Sequence, residues 1–220
     1  MKGPTWAVER VTGSAAAFHA RELPEPLERT VWVFEVDRPA LVLGSTQPDA
    51  SVDAMAAKRA GVEVVRRRSG GGAVLLRPGE AVWIDVLLPR ADPLWDDDVG
   101  HATHWLGDVW AATIGAGAVV HRRGTLRSRW SSLVCFGGLG PGEVLARDGG
   151  PKVVGLSQRR TRLGARFQCA VLGEWDAVGI LGLLALSPHE RDEAALELAD
   201  DAAGVALDGL VERFVGHLPA

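Results

Sequence analysis

Hydrophobic and polar positions along this 220-residue chain fall into short blocks whose period changes several times. Alternation over residues 30–36 predicts a strand, and the apolar run 40–44 predicts a second. Asp37-Arg38-Pro39 between them reads as a hairpin connection. Residues 6–11 read as an edge strand, and 13–20 as a short helix with Ser14 near its start. Asp49 or Ser51 can cap a helix through Ala60, and Gly61 supplies its stop. Strands over 62–67 and 73–76 flank a run of glycines; Pro78-Gly79 then turns the chain into a strand over 81–88. Ala102, Trp105, Leu106, Val109, Trp110 and Ile114 recur at helical spacing, so this helix packs on a sheet, with Asp96 to Asp98 at its acidic head. Residues 118–121 form a short strand. Residues 143–146 and 152–157 pair across Arg147-Asp148-Gly149-Gly150, and 166–172 add another strand. Ser187-Pro188-His189-Glu190 is a capping box with Pro at the first helical position. Leu207, Leu210, Val211, Phe214, Val215 and Leu218 mark a closing amphipathic helix. Strands dominate the middle without strict alternation with helices, which indicates an α+β fold, a mixed or antiparallel sheet with packed helices.

Composition narrows the function classes. Hydrophobic residues make up 47% and charged residues 24%, ordinary for a globular chain. A net charge of −4 argues against nucleic acid as a partner. No apolar run approaches the length of a membrane span, and no signal-peptide pattern opens the chain, so a cytoplasmic protein without a membrane partner is expected. Two cysteines, Cys135 and Cys169, give neither a disulfide framework nor a zinc spacing. There is no Asn and no Tyr, and only Lys2, Lys58 and Lys152 among the 24 basic residues are lysine. That usage indicates a GC-rich genome. Lys2 and Lys58 read as surface residues, which leaves Lys152 as a lysine kept against the drift.

Two stretches carry chemistry. In the first, Arg66-Arg67-Arg68-Ser69-Gly70-Gly71-Gly72-Ala73-Val74 joins two apolar runs. Glycines free the backbone, so successive N–H groups can converge on an anion beside guanidinium groups. No Gly-Lys-Ser/Thr follows and the glycines are contiguous, so this is neither a P-loop nor a dinucleotide fingerprint. The plainer alternative is a Gly-rich hairpin turn with solvent-facing arginines. In the second stretch, Pro151 to Arg162, strand alternation puts Lys152, Val154 and Leu156 on one face. An inward ammonium needs an anionic or carbonyl partner and could stabilise charge developing on an acyl carbonyl. The alternative is a surface lysine on a sheet edge.

Together the two stretches resemble the lipoate–protein ligase family, within the biotin/lipoate ligase fold. Arg66 to Val74 is similar to that family's Arg-Arg-x-Ser-Gly-Gly-Gly-Ala-Val loop. Lys152, Gly155, Ser157 and Gln158 are similar to its Lys-x-x-Gly-x-Ala/Ser-Gln motif. The Leu41-to-Gly44 strand followed by Gln47 resembles a third block, in the same order. The resemblance implies one catalytic domain over residues 1–220, without a C-terminal accessory domain. It implies that Ser69, Gly70, Gly71, Gly72 and Ala73 line the acyl and adenylate pocket, with Gln47, Gly155 and Ser157, and that Arg67 holds the phosphate. Lys152 would orient the mixed anhydride. Val74, Val154, Leu75 and Trp83 are candidates for an apolar acyl tunnel. ATP and Mg2+ would be used with lipoate or octanoate, and the acceptor would be a lysine of a lipoyl-carrier domain in a 2-oxoacid dehydrogenase or the glycine cleavage system.

Departures open other routes. Leu76-Arg77 stands where members have His-Asp, Glu80 where Asn is usual, and Gln168-Cys169 where a His-Gly pair is frequent. With no accessory domain expected in the sequence, such a domain would come from another chain. The related octanoyltransferases carry Cys-Phe before the lysine motif and use the cysteine as acyl nucleophile; Cys135-Phe136 matches this, and a thiolate near Lys152 and arginines would be reactive. The plain alternative for Cys135 is a buried small hydrophobe. A non-catalytic protein that binds lipoate or a lipoyl domain is a reading of another class, and biotin ligation a weaker enzymatic one. Cys169 reads as core, and His101 and His104, three apart without a third ligand, as helix surface.

Overall fold

The computed structural model describes residues 5–220; Lys2 lies outside them. In chain order the strands are β1 (Ala7–Gly13), β2 (Thr30–Val36), β3 (Ala40–Leu43), β4 (Glu63–Arg66), β5 (Val74–Leu76), β6 (Ala81–Pro89), β7 (Val119–Val120), β8 (Leu126–Arg127), β9 (Gly138–Leu139), β10 (Val144–Leu145), β11 (Lys152–Arg160) and β12 (Gly164–Leu172). The helices are α1 (Ala15–Ala20), α2 (Ala54–Arg59), α3 (His104–Ile114), α4 (Ala177–Leu181), α5 (Pro188–Leu198) and α6 (Leu210–His217). A large sheet runs β1-β2-β6-β12-β11-β10-β7, a small one β4-β3-β5, and β8 pairs with β9. The large sheet is antiparallel except for β1 on β2. The fold is α+β.

Residues 37–39 are not a hairpin connection. β2 belongs to the large sheet and β3 to the small one, so the chain turns from one layer to the next. The reason is that both strands are buried on two sides. Val31 and Val33 enter one core cluster, Trp32 and Phe34 a second. Ala40 and Val42 of β3 share that second cluster, while Leu41 and Leu43 enter a third. Four layers result, with a core cluster between each adjacent pair: α3 and α6, the large sheet, the small sheet, then α2, α4 and α5.

β4 and β5 do not pair with each other either. Both pair with β3, β4 parallel and β5 antiparallel, so the glycine stretch is a bridge over the end of β3 rather than a hairpin turn. Gly44, just past β3, lies directly beneath it: a Cβ there would stand 1.8 Å from Gly71 O. The cap of α2 is Asp53, whose side chain accepts from Ala56 N, not Asp49 or Ser51; those two lie in a preceding 3-10 turn, where Asp49 pairs with Arg66. Ser14 caps α1, and the Ser187–Glu190 capping box opens α5.

One irregularity reaches the site. Val144 pairs with Val154 but Leu145 pairs with Lys152, so β11 carries an extra residue against β10. Such a bulge breaks the period of two. Val153 and Val154 both enter the first core cluster, and Lys152 does not share a face with Val154. It lies against Phe136, as Gly155 does.

Candidate active site

The glycine bridge is fixed from both sides. Ala73 N donates to Leu133 O and Cys135 N donates to Ala73 O, a parallel one-step ladder that ties β5 to the segment before Phe136. Gly72 is needed there, since a Cβ would stand 2.5 Å from Val134 N. Gly71 has φ +98° and passes beside Cys135. The three arginines take three separate tasks, and none of them is a free solvent-facing charge. Arg66 donates to Gly44 O and Gln47 O and pairs with Asp49. Arg68 pairs with Glu22. Arg67 is buried and turns inward, where its Nη2 donates to Gly70 O at 2.7 Å and Gly72 O at 3.0 Å and lies 3.6 Å from Cys135 Sγ. Gln47 is buried as well; it accepts from Gly44 N and donates to Leu133 O, which locks the same junction.

Lys152 is 2% exposed, so it is not an edge lysine at the surface. Its ammonium donates to Cys135 O at 2.8 Å, to Gly138 O at 2.6 Å and to Glu143 at 3.1 Å. An ammonium has three donors, and all three are engaged within the chain. Glu143 accepts in addition from Gly140 N and Leu156 N. Lys58, by contrast, is exposed.

Two cavities meet at Cys135. The first is largely apolar, encloses about 50 Å³, and is lined by Val42, Val74, Leu76, Trp83, Phe136 and Ala170, with His19, Arg67, Cys135, Ser157 and Gln168 as its polar members. That volume is room for a few waters and short of an eight-carbon chain, so an acyl group enters only if side chains move. Of the expected tunnel residues, Val74 and Trp83 line it; Val154 and Leu75 lie in separate cores instead, because the bulge and the burial of β5 turn them away. The second cavity, about 420 Å³, is lined by Gln47, Gly70 to Gly72, Arg127, Cys135, Glu143 and Ser157. Its one lining carboxylate, Glu143, is already saturated, so it offers no ready oxygen to Mg2+. Among the described residues no three His, Cys, Asp or Glu converge as metal ligands.

Beneath the first cavity runs a polar chain that the sequence did not announce. Ser69 Oγ and Ser157 Oγ are 3.0 Å apart, and Ser69 also donates to Gln168 Oε1. Gln168 donates to Asp85, which pairs with Arg166 at 2.5 Å and accepts from Trp83 Nε1. Burial pushes Asp85's carboxyl up, against the pull of Arg166 and Trp83. Both its oxygens already accept hydrogen bonds, so this shell satisfies the charged form. His19, tilted against Trp83 with 4.6 Å between ring centres, completes the chain through Gln168. Burial, then the charges of Arg166 and Arg67, pull its pKa down to about 3. Cys169 is wholly buried, and burial pushes its thiol far up, which leaves it inert core.

The geometry therefore joins blocks that lie far apart in the chain. Residues 15–197 match the lipoyl protein ligase A/B catalytic domain. The chain belongs to this family. Its lipoyl ligase fold also stands out among solved structures. A bipartite lipoate protein ligase of Thermoplasma acidophilum, from a study that includes its E2 lipoyl domain, superposes with a TM-score of 0.71 at 15% identity, over 97% of this chain and 81% of that one. A lipoate protein ligase of the same organism with bound lipoic acid gives 0.62 at 16%, over 98% and 94%. Lipoate-protein ligase A bound with ATP gives 0.59 at 15%, over 98% and 93%. No curated protein matches in sequence. Glu143, His19 and Asp85 carry no motif of their own, and only their neighbours in space give them meaning.

Proposed function

We propose that this lipoyl ligase family member transfers a lipoyl or octanoyl group to a carrier-domain lysine by way of a thioester on Cys135. The observation that carries the reading is the position of Cys135 Sγ between the apolar and the polar cavity, 3.6 Å from the Arg67 guanidinium. Arg67 is placed to pair with a thiolate, and the apolar cavity to take the alkyl part of the acyl group. The thiolate attacks the carbonyl of a donor thioester; the new C–S bond forms, the donor's C–S bond breaks, and the donor leaves as its thiolate and takes up a proton. A neutral acceptor lysine then attacks the acyl-cysteine. The amide C–N bond forms, Cys135 leaves as thiolate, and the amine proton passes to solvent. Lys152 has no donor left for a phosphate, because Glu143 and two carbonyls hold it; its part is to fix the carbonyl of Cys135.

A second reading keeps the acyl-adenylate route. It is favoured by the cavity of about 420 Å³ beside the glycine bridge and by the ATP-bound relative. That route needs Lys152 to leave its present partners. The bipartite relative supports an accessory domain supplied by another chain, and its E2 lipoyl domain supports a lipoyl-carrier acceptor.

The test is incubation with an octanoyl-carrier protein without ATP, followed by intact-mass measurement. Octanoyl added to the chain, lost in Cys135→Ala together with transfer to a lipoyl domain, is the expected result. Full transfer by Cys135→Ala, dependent on ATP and lipoate, would establish the adenylate route instead.

A further inference from the structure

His19 is the one histidine on the apolar cavity, and it is 8% exposed. Its ring is held by the tilted contact with Trp83 and by Gln168 Nε2, 3.4 Å from Nδ1. The orientation of the Gln168 amide is fixed independently. Its oxygen accepts from Ser69 Oγ and its nitrogen faces the Asp85 carboxylate. The amide therefore donates to Nδ1, which must be the bare nitrogen of the ring. The proton of a neutral imidazole then sits on Nε2. That atom is buried and has no hydrogen-bond partner. An unmet buried donor is costly, so this N–H is suited to an acceptor brought by a ligand in the cavity that the ring lines.

We infer that His19 is a specificity-determining residue, which offers its Nε2–H to the acyl group and so selects a chain bearing a hydrogen-bond acceptor over a plain alkyl chain. The inference rests on the reading that this cavity takes the acyl group. Of the two acyl groups in that reading, octanoyl has only methylenes and a methyl beyond its carbonyl and would bury the donor unmet. Lipoyl brings two dithiolane sulfurs, weak acceptors but acceptors. The burial that keeps the ring neutral supports the same assignment, because an imidazolium would demand a second acceptor at Nδ1. Arg166 and Arg67 nearby disfavour that cation further.

The experiment is calorimetric titration of the full chain with lipoate and with octanoate. The wild-type protein is expected to bind lipoate about tenfold more tightly, the worth of one recovered buried hydrogen bond. In His19→Leu and His19→Phe, lipoate affinity falls and octanoate affinity rises, so the preference disappears. His19→Gln, which keeps an N–H donor, retains it. A merely structural role would shift both affinities the same way. Equal binding of the two acids by the wild type, or an unchanged preference in both apolar variants, overturns the inference while leaving the acyl cavity intact. If neither acid binds, this inference fails, and the acyl-cavity reading is judged separately by octanoyl loading of Cys135 from the carrier protein.

Discussion

Glu143 and Lys152 meet inside the protein, with 3.1 Å between Oε2 and Nζ and side-chain exposures of 5% and 2%. Two charges are withdrawn from water at one point, and backbone groups of residues 135–140 and 156 complete their shells. Removing one partner leaves the other buried and uncompensated. Glu143→Ala is therefore expected to cost about 3–5 kcal/mol, measured by urea denaturation. The double variant Glu143→Ala/Lys152→Met should recover part of the loss, because it removes both charges; a simple sum of the effects of Glu143→Ala and Lys152→Met would show that the pair is not coupled.

Lys152→Arg is the sharper functional variant. It keeps the charge, but a planar guanidinium cannot direct three donors at Cys135 O, Gly138 O and Glu143 from a space shaped for an ammonium. Displacing Cys135 O moves the cysteine backbone. Transfer should fall by at least about a hundredfold, in line with catalytic losses from small displacements, and a wild-type rate would remove Lys152 from the site.

Gly44→Ala and Gly70→Ala separate space from conformation. The first puts a methyl 1.8 Å from Gly71 O, while the second meets nothing within 4 Å. Gly44→Ala should therefore lower stability by about 1–3 kcal/mol, as overpacking does, and impair transfer. Gly70→Ala should leave both near wild type. Thermal melts with an activity assay check the pair, and equal effects would mean that the bridge yields easily.

His19 predicts a pH dependence of definite sign. Its folded pKa, about 3, lies below the ordinary 6.5, so the unfolded chain binds the extra proton between those values. Stability should be unaffected by this group above pH 6.5. It should fall as pH drops toward 3, by up to about 1.4 kcal/mol per unit. His104, lowered by its own burial and by Arg122, acts in the same direction. The measurement is thus the difference between wild type and His19→Leu, whose stability should decline less over that window.

Local signals were the legible part of the chain. The strand over residues 30–36 and the Ser187 capping box needed only a few neighbouring residues and have the bounds and cap that the spacing implied, whereas α3 opens at His104, so Asp96 to Asp98 precede its first turn rather than head it. Pairing was not legible, because nothing in residues 37–39 says that β2 and β3 part into different sheets. Asp53 caps α2, while Asp49 pairs with Arg66, a contact between residues 17 apart. The β11 bulge hid the true face of Lys152, and Glu143 looked like any residue opening a strand. His19 sits on a six-residue helix with no flanking motif. Its meaning comes from Gln168 and Trp83, which only the sheet brings to it.

The bond pair between Ala73 and the segment of Leu133 and Cys135 has a mechanical consequence. It ties the end of the glycine bridge to the backbone that carries the sulfur. Any widening that lets a ligand under the bridge must carry the thiol along, so admission and alignment share one degree of freedom.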